Sequence, residues 1–393
     1  MSAQPPGLRA VCFAAFASMG SMRVCDAMLA ALSAEYGVGT GDAAWVVAAF
    51  AVAYGLCQLV YGPLGDRLGK LRVVGLAASG AAVFSVLAAL SASFTWLVAA
   101  RAGMGAMAAG IIPLSMAWIG DQVSYERRQE TLARLMGATV SGMMLGQWFG
   151  GIAADHLGWR SAFALLAVLF LLGAALLWRQ QRQAAGTADG PGHADAPNPR
   201  HLPYAAQVAT VLREPRARLI LAVVAAEGAL AFGIMSFAPS QFVRRCGVSA
   251  ATAGTVVILF GVGGLAYSQF ARRWLQLLGE RGLAMSGGVL LAAGLVLAGW
   301  ASTLAPAALG CGLAGLGFYM LHNTLQTQAT QMAPGQRGTA VTLFACSLFL
   351  GQSLGVMAAG LGADRDLLDW LFTAAGLGLL ALGLTVSRYT RLA

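Results

Sequence analysis

The chain is divided into apolar runs, each close to the ~20 residues a helix needs to cross hydrocarbon, and nearly all of its charge lies in the segments between them. Twelve runs are placed, near Leu8–Leu32, Ala43–Tyr61, Val73–Leu90, Trp96–Ile119, Leu132–Ala153 and Ser161–Trp178, then Leu219–Pro239, Ala250–Phe270, Leu283–Ala301, Pro306–Gln328, Thr339–Leu361 and Trp370–Ser387. Inside a bilayer every backbone N–H and C=O must be paired within the protein, so runs of this length are read as α-helices. The predicted fold class is therefore an all-α integral membrane protein with twelve transmembrane helices. Charged residues are only 10% of the 393, against about 25% in soluble domains.

Between the sixth and seventh runs, residues 179–218 are polar and contain Gly186 to Gly192 and several prolines. Such a stretch buries too little apolar surface to fold alone and is expected to be a flexible cytoplasmic linker between bundles 1–178 and 219–393. The formal charge of +9 invites a nucleic-acid reading, but the basic residues lie in short segments between runs, so their meaning is topological. With the N-terminus inside, 19 of the 25 Lys and Arg residues fall on that side, and only Arg160, Arg244, Arg245 and Arg365 fall opposite. Lys and Arg favour cytoplasmic loops, so both termini are expected in the cytoplasm. The opening Met1–Ala10 leads into a run too long for a signal peptide and is read as a retained first span.

An internal echo relates the halves. Leu145-Gly146-Gln147-Trp148-Phe149-Gly150 reappears as Leu350-Gly351-Gln352-Ser353-Leu354-Gly355, an offset of 205 residues. This marks two pseudo-symmetric six-helix halves arranged as parallel repeats. Gly142, Gly146, Gly150 and Gly151, with Gly351 and Gly355, are read as close helix-packing positions. Six scattered cysteines without a CxxC pair give neither a disulfide framework nor a zinc site. Trp96, Trp159, Trp300 and Trp370 lie near span ends and are read as interfacial anchors.

Four residues charged at neutral pH lie well inside runs, away from their ends: Arg23, Asp26, Arg101 and Glu227. Each costs at least about 2.5 kcal/mol at mid-bilayer, so each is expected to face the protein interior or a wet cavity with a partner. Arg23 and Asp26, three apart, share a helix face. Asp26 is the candidate proton carrier, since a carboxylate in a low-dielectric cleft holds its proton until a cation approaches. Arg101 is the candidate switching cation, and Glu227 joins the same cavity if the pseudo-symmetry holds. A static Arg–Asp bridge pinning the first and fourth spans is the bland alternative. With Arg23, Asp26 and Glu227, the candidate substrate wall takes in Tyr54 and Gln58 on the second span and His322, Asn323 and Gln326 on the tenth.

Gly62-Pro63-Leu64-Gly65-Asp66-Arg67-Leu68-Gly69-Lys70, between the second and third spans, resembles the signature loop of the major facilitator superfamily. Arg101-Ala-Gly-Met-Gly105 resembles that family's intramembrane Arg motif. Gly142 to Gly151 resembles the glycine motif of its antiporters, with Gln147 where those carry Pro, and Gly158-Trp159-Arg160-Ser161-Ala162-Phe163 resembles the usual lead into span six. The resemblance implies a gate built from Gly62, Gly65, Asp66, Arg67, Gly69, Lys70 and Asp121. In it Asp66 caps the eleventh span and Arg67 reaches the end of the fourth near Asp121.

The resemblance is nearest to twelve-span, proton-coupled drug and metabolite efflux members. It implies a monomeric transporter of the bacterial inner membrane that exports a small organic molecule in exchange for protons. Proton-coupled uptake of a sugar or organic anion is the alternative, since the missing Pro loosens the antiporter motif, and a non-transporting receptor is a third reading. The sequence holds no phosphate loop and no Ser-His-Asp arrangement, so no enzyme, cofactor, metal or nucleic-acid partner is expected.

Overall fold

A computed structural model describes residues 6–187 and 203–389, which contain no β-strand. Among them are ten helices long and apolar enough to cross a membrane. We label α1 Leu8–Tyr36, α2 Thr40–Leu68, α3 Lys70–Ala89, α4 Phe94–Gln122, α6 Arg160–Gln183, α7 Pro215–Cys246, α10 Leu304–Ala329, α11 Pro334–Ala363 and α12 Leu368–Arg388. The remaining one, Ala250–Trp300, is 51 residues long and breaks at Gly279, where φ is 62°. A left-handed φ is open to glycine at little cost, so the expected loop shrinks to one residue between α8 (250–278) and α9 (280–300). α5, Tyr125–Ile152, whose charges crowd its first turns, brings these long helices to twelve among the described residues, consistent with the expected twelve spans.

The expected linker is shorter than its polar composition implies. The helix of α6 runs on to Thr187, and a short helix, Tyr204–Arg213, precedes α7. Its Pro-rich centre, 188–202, lies outside the described residues, as do Arg200 and Arg391.

The two halves repeat one packing motif in one register. In the first, α5 lies against α1: a Cβ on Gly146 would stand 2.4 Å from the Gly20 carbonyl oxygen, and one on Gly150 2.0 Å from that of Val24. In the second, α11 lies against α7: a Cβ on Gly351 would stand 1.9 Å from the Ala225 oxygen, and one on Gly355 2.1 Å from that of Ala229. The offset of 205 residues holds for both helices of each pair. Backbones that approach this closely leave no room for a side chain, which is how small residues drive helix association in lipid.

Both first helices of the halves break at equivalent heights. In α1 an α-helix ends at Arg23 and a 3-10 turn, Asp26–Met28, follows before helix resumes at Leu29. In α7 the α-helix ends at Glu227 and a π segment, Gly228–Gly233, follows. Position 23 shifted by the repeat offset is 228. Local 3-10 and π segments mark functional positions more often than chance placement would.

Contacts between the halves are grouped away from the Lys- and Arg-rich side. There α2 meets α11 through Ser353, which donates to the Ala48 carbonyl at 3.1 Å, and Tyr54, edge-on to Phe349 at 4.7 Å. α5 meets α8 where Gly151 approaches the Ala250 backbone and Gly261 packs on Met144. Toward the basic side the helices part: a Cβ on Gly62 would meet no atom of another element within 4 Å, and Asp66 and Arg67 are exposed.

Candidate functional site

The break in α1 brings Arg23 and Asp26 to the boundary between the halves, where Arg23 meets α7. Asp26 and Glu227 are fully buried, and Arg23 nearly so. Arg23 Nη1 stands 3.1 Å from Asp26 Oδ2, and the same nitrogen donates to Ser236 Oγ of α7 at 3.5 Å. Its guanidinium lies 5.2 Å from the centre of the Phe232 ring. Arg23 thus reaches from the break in α1 to the break in α7. Neither Asp26 oxygen completes a hydrogen bond, and Arg23 Nε is also without a partner. Buried polar atoms left open in this way are costly.

Glu227 has a partner that its sequence neighbourhood does not offer. Glu227 Oε2 lies 2.8 Å from His322 Nδ1 on α10, while Oε1 has no partner. The imidazole is stacked on Phe318 at 4.9 Å and tilted against Phe344 at 5.4 Å. With 16% of its side chain exposed beside a carboxylate at 0%, the ring is the accessible member of the pair. Phe232, Phe260 and Phe318 continue the aromatic wall, with the Phe232 and Phe318 centroids 4.6 Å apart.

Arg101 is placed differently from its expected role. It does not contact Asp26 directly: its Nε donates to the Val46 carbonyl at 3.0 Å and its Nη1 to the Ser21 carbonyl at 2.8 Å, with the guanidinium 4.3 Å from the Phe50 ring centre. The Ser21 carbonyl belongs to the last turn before the break in α1, where backbone acceptors lose their helical donors. Arg101 therefore ties α4 to α1 and α2 through backbone, which neither the switching reading nor the Arg–Asp bridge described.

The uncharged candidates divide. Tyr54 and Gln58 are buried on α2; Tyr54 stacks on Phe50 at 5.7 Å, and Gln58 Oε1 has no partner. Gln326 is exposed one turn from His322 toward the basic side. Asn323 turns away: its Nδ2 donates to Tyr267 Oη of α8 at 3.1 Å. One residue rotates a helix position by about 100°, which separates Asn323 from the His322 face.

At the basic-side loop, Lys70 rather than Arg67 pairs with Asp121. Gly65 packs on Leu114, Gly69 closes the end of α2, and Asp66 and Arg67 have no ion pair among the described residues. Arg128, which sequence reasoning passed over, donates to the Gly120 carbonyl at 2.6 Å and closes the end of α4. Trp159 is a correction: only 3% exposed, it donates to Glu35 at 2.5 Å and does not anchor at a lipid interface. Trp96, Trp300 and Trp370 are exposed as expected.

Comparison with known proteins agrees with this architecture. A solved peptide-transporter family (POT) protein, in complex with a thioalcohol-conjugated peptide, superposes with a TM-score of 0.79 over 98% of this chain and 96% of its own, at 13% identity. Among curated proteins, the methyl viologen resistance protein SmvA of Salmonella typhimurium (strain LT2) is 29% identical over 167 residues, 42% of this chain and 34% of that protein. A probable L-galactonate transporter of Escherichia coli (strain K12) is 28% identical over 157 residues, 39% of this chain and 35% of that protein. The alignments thus span about a third of the length of these relatives. The family profile of the Major Facilitator Superfamily matches residues 11–356, and with that match over most of its length the chain belongs to the Major Facilitator Superfamily.

Proposed function

We propose that the chain is a secondary active transporter that exports a small organic molecule in exchange for protons, by alternating access between two six-helix halves. The observation that carries this reading is the pair of equivalent helix breaks, each holding a buried carboxylate, at a boundary closed on one side and parted on the other. The basic side is the cytoplasm, so this conformation opens inward. The halves 1–178 and 219–393 rock as units about the linker 179–218, in a bacterial inner membrane, with both termini inside and a single chain as the working unit.

Asp26 and Glu227 are the proton sites in this reading. In the ion pair with Arg23, Asp26 is ionised; a proton arriving there releases Arg23, and with it the tie to Ser236 that holds α1 to α7. His322 passes protons between the cleft and Glu227. The aromatic wall of Phe232, Phe318 and His322, with Tyr54, Gln58 and Gln326, receives the substrate. Asp66 and Arg67, open here, make their gate contacts when the inside closes. Arg101 holds the break in α1 in shape.

The alternative direction has its own support. Arg23 Nε, buried and unpartnered, suits an anion, and uptake of a hydroxy acid by symport would use it. Purified protein in proteoliposomes with an imposed pH gradient separates the two, with methyl viologen and L-galactonate as the transported probes. Efflux predicts accumulation of methyl viologen driven by an opposing proton gradient; uptake predicts L-galactonate moving with protons. Transport unaltered in Asp26→Asn and Glu227→Gln removes the proton role from both residues.

A further inference from the structure

The internal repeat sets two glutamines in equivalent places, and the structure gives neither of them a partner. Gln147 of α5 and Gln352 of α11 are 4% and 1% exposed, and the amide nitrogen of each is buried without a hydrogen bond. Each stands next to the glycine that seats its helix on a broken neighbour: Gly146 on Gly20 of α1, and Gly351 on Ala225 of α7. The breaks that follow hold Arg23 with Asp26 in one case and Glu227 in the other.

Helix geometry fixes the direction in which both residues lie. At 3.6 residues per turn, Leu354 and Leu361 are about half a turn round α11 from Gln352, and both are open to lipid, at 65% and 67%. The faces of α11 that touch α7 (Leu348, Gly351, Gly355) and α2 (Phe349, Ser353) flank Gln352 on either side. On α5 the lipid side is marked by Leu145 and Trp148, while α1 and α8 are met through Gly146 and Gly151; Gln147 falls between those two contacts. Both amides therefore point to the boundary between the halves, at the height of the helix breaks.

An amide left without a partner away from water is costly. A packing role at these positions is served without that cost by leucine or methionine. Two such amides, one from each half and at equivalent heights, suit a ligand that bridges the halves with polar oxygen atoms. We propose that Gln147 and Gln352 form a paired carboxamide subsite that hydrogen-bonds hydroxyl or carbonyl oxygens of the transported molecule. This rests on the transporter reading above and adds a substrate class to it: molecules that carry oxygen groups at two ends. A site built to hydrogen-bond discriminates strongly against ligands that lack the group, so the subsite is selective where the aromatic wall is tolerant.

The test uses two readouts on the full chain in proteoliposomes. Gln147→Cys and Gln352→Cys are exposed to a charged methanethiosulfonate reagent from the cytoplasmic side, and the labelled cysteine is located by mass spectrometry to separate it from the six native ones. Both positions are expected to label, and failure at either overturns the subsite. In Gln147→Met and Gln352→Met, L-galactonate transport is expected to fall about tenfold, the loss of roughly one hydrogen bond. Methyl viologen, a dication with no hydrogen-bonding group, is expected to move at the unmodified rate. Equal losses for both compounds, or none for L-galactonate, overturn the proposal. A wild-type chain that moves neither compound counts against the functional reading, and the labelling result then decides the subsite alone.

Discussion

The Asp155 carboxylate at the end of α5 caps the helix that begins at Ala250 in the other half. One oxygen accepts from Ala250 N at 3.2 Å and the other from Ala251 N at 2.6 Å. The third free donor of that helix, Thr252 N, goes to Ser249 Oγ, so its first turn is closed from both halves. A second clasp mirrors the first: Gly41 N, in the first turn of α2, donates to Asp364 Oδ1 at the end of α11 at 2.8 Å. Both cross the boundary on the side away from the Lys and Arg residues, where the halves are closed.

Loosening these clasps is expected to favour a state open on that side. A carboxylate at a helix N-terminus contributes about 0.3 to 1 kcal/mol, so Asp155→Ala and Asp364→Ala should each shift the open-to-closed ratio roughly two- to fivefold. The double variant should approach the product, since the sites lie on different helix pairs. Spin labels across the outer ends of α5 and α8 measure the distance distribution; an unchanged distribution in the double variant removes the latch role.

Arg101→Lys is expected to lower stability more than it alters coupling. The guanidinium serves two carbonyls of different helices at once, and an ammonium does not reproduce that planar fork. A loss of about 1 to 3 kcal/mol follows from one charged hydrogen bond forgone. It is read as a lowered thermal midpoint of the purified protein, with the proton-to-substrate ratio of the surviving fraction unchanged.

Gly351→Ala is expected to be costly and Gly312→Ala close to neutral. The new methyl would stand 1.9 Å from the Ala225 oxygen in the first case, and would meet nothing within 4 Å in the second. Overpacking costs about 1 to 3 kcal/mol. Unfolding of the two variants side by side in a mild detergent gives the comparison, with equal midpoints as the refuting result.

Asp66→Asn is expected to leave membrane insertion and ligand binding intact while slowing transport, because Asp66 is exposed and has no ion pair among the described residues to lose in this conformation. Equal loss of binding and transport would count against a gating role. Lys70→Ala provides the contrast: it removes the pairing with Asp121, which lies within one half, and should slow transport less.

Much of the fold is legible because lipid leaves few alternatives. Span lengths, the glycine spacing and the repeat between Gln147 and Gln352 are written in residue types, and the α1–α5 and α7–α11 pairings follow them. The breaks after Arg23 and Glu227 are not legible: Val24 and Cys25 are ordinary helix formers in this setting, and 3-10 or π segments carry no signature of their own. Choice of partner is equally hidden. Lys70 takes Asp121 in place of Arg67, three positions away, and Asn323 turns to Tyr267 while His322 beside it meets Glu227; small helix rotations decide both. Arg101 was legible as a buried cation but not as a donor to backbone, because carbonyls freed by a break appear only once the break is known. The glutamine echo is written in the sequence, yet nothing in it says that both amide nitrogens go unpaired.

The grouping of cross-half contacts on one side has an electrical consequence. In the orientation proposed above, ions and water entering where the helices part would carry the cytoplasmic potential into the protein, and the membrane voltage would fall mainly across the closed layer between Asp26 and the Asp155 and Asp364 clasps. A proton at Asp26, the proposed site, would then already be near cytoplasmic potential. Nearly all of the work on it, about 2.3 kcal/mol per elementary charge per 100 mV, would be exchanged in the single step that reverses which side is closed, so in the proposed cycle the rocking step rather than the approach to the site would set the response to voltage.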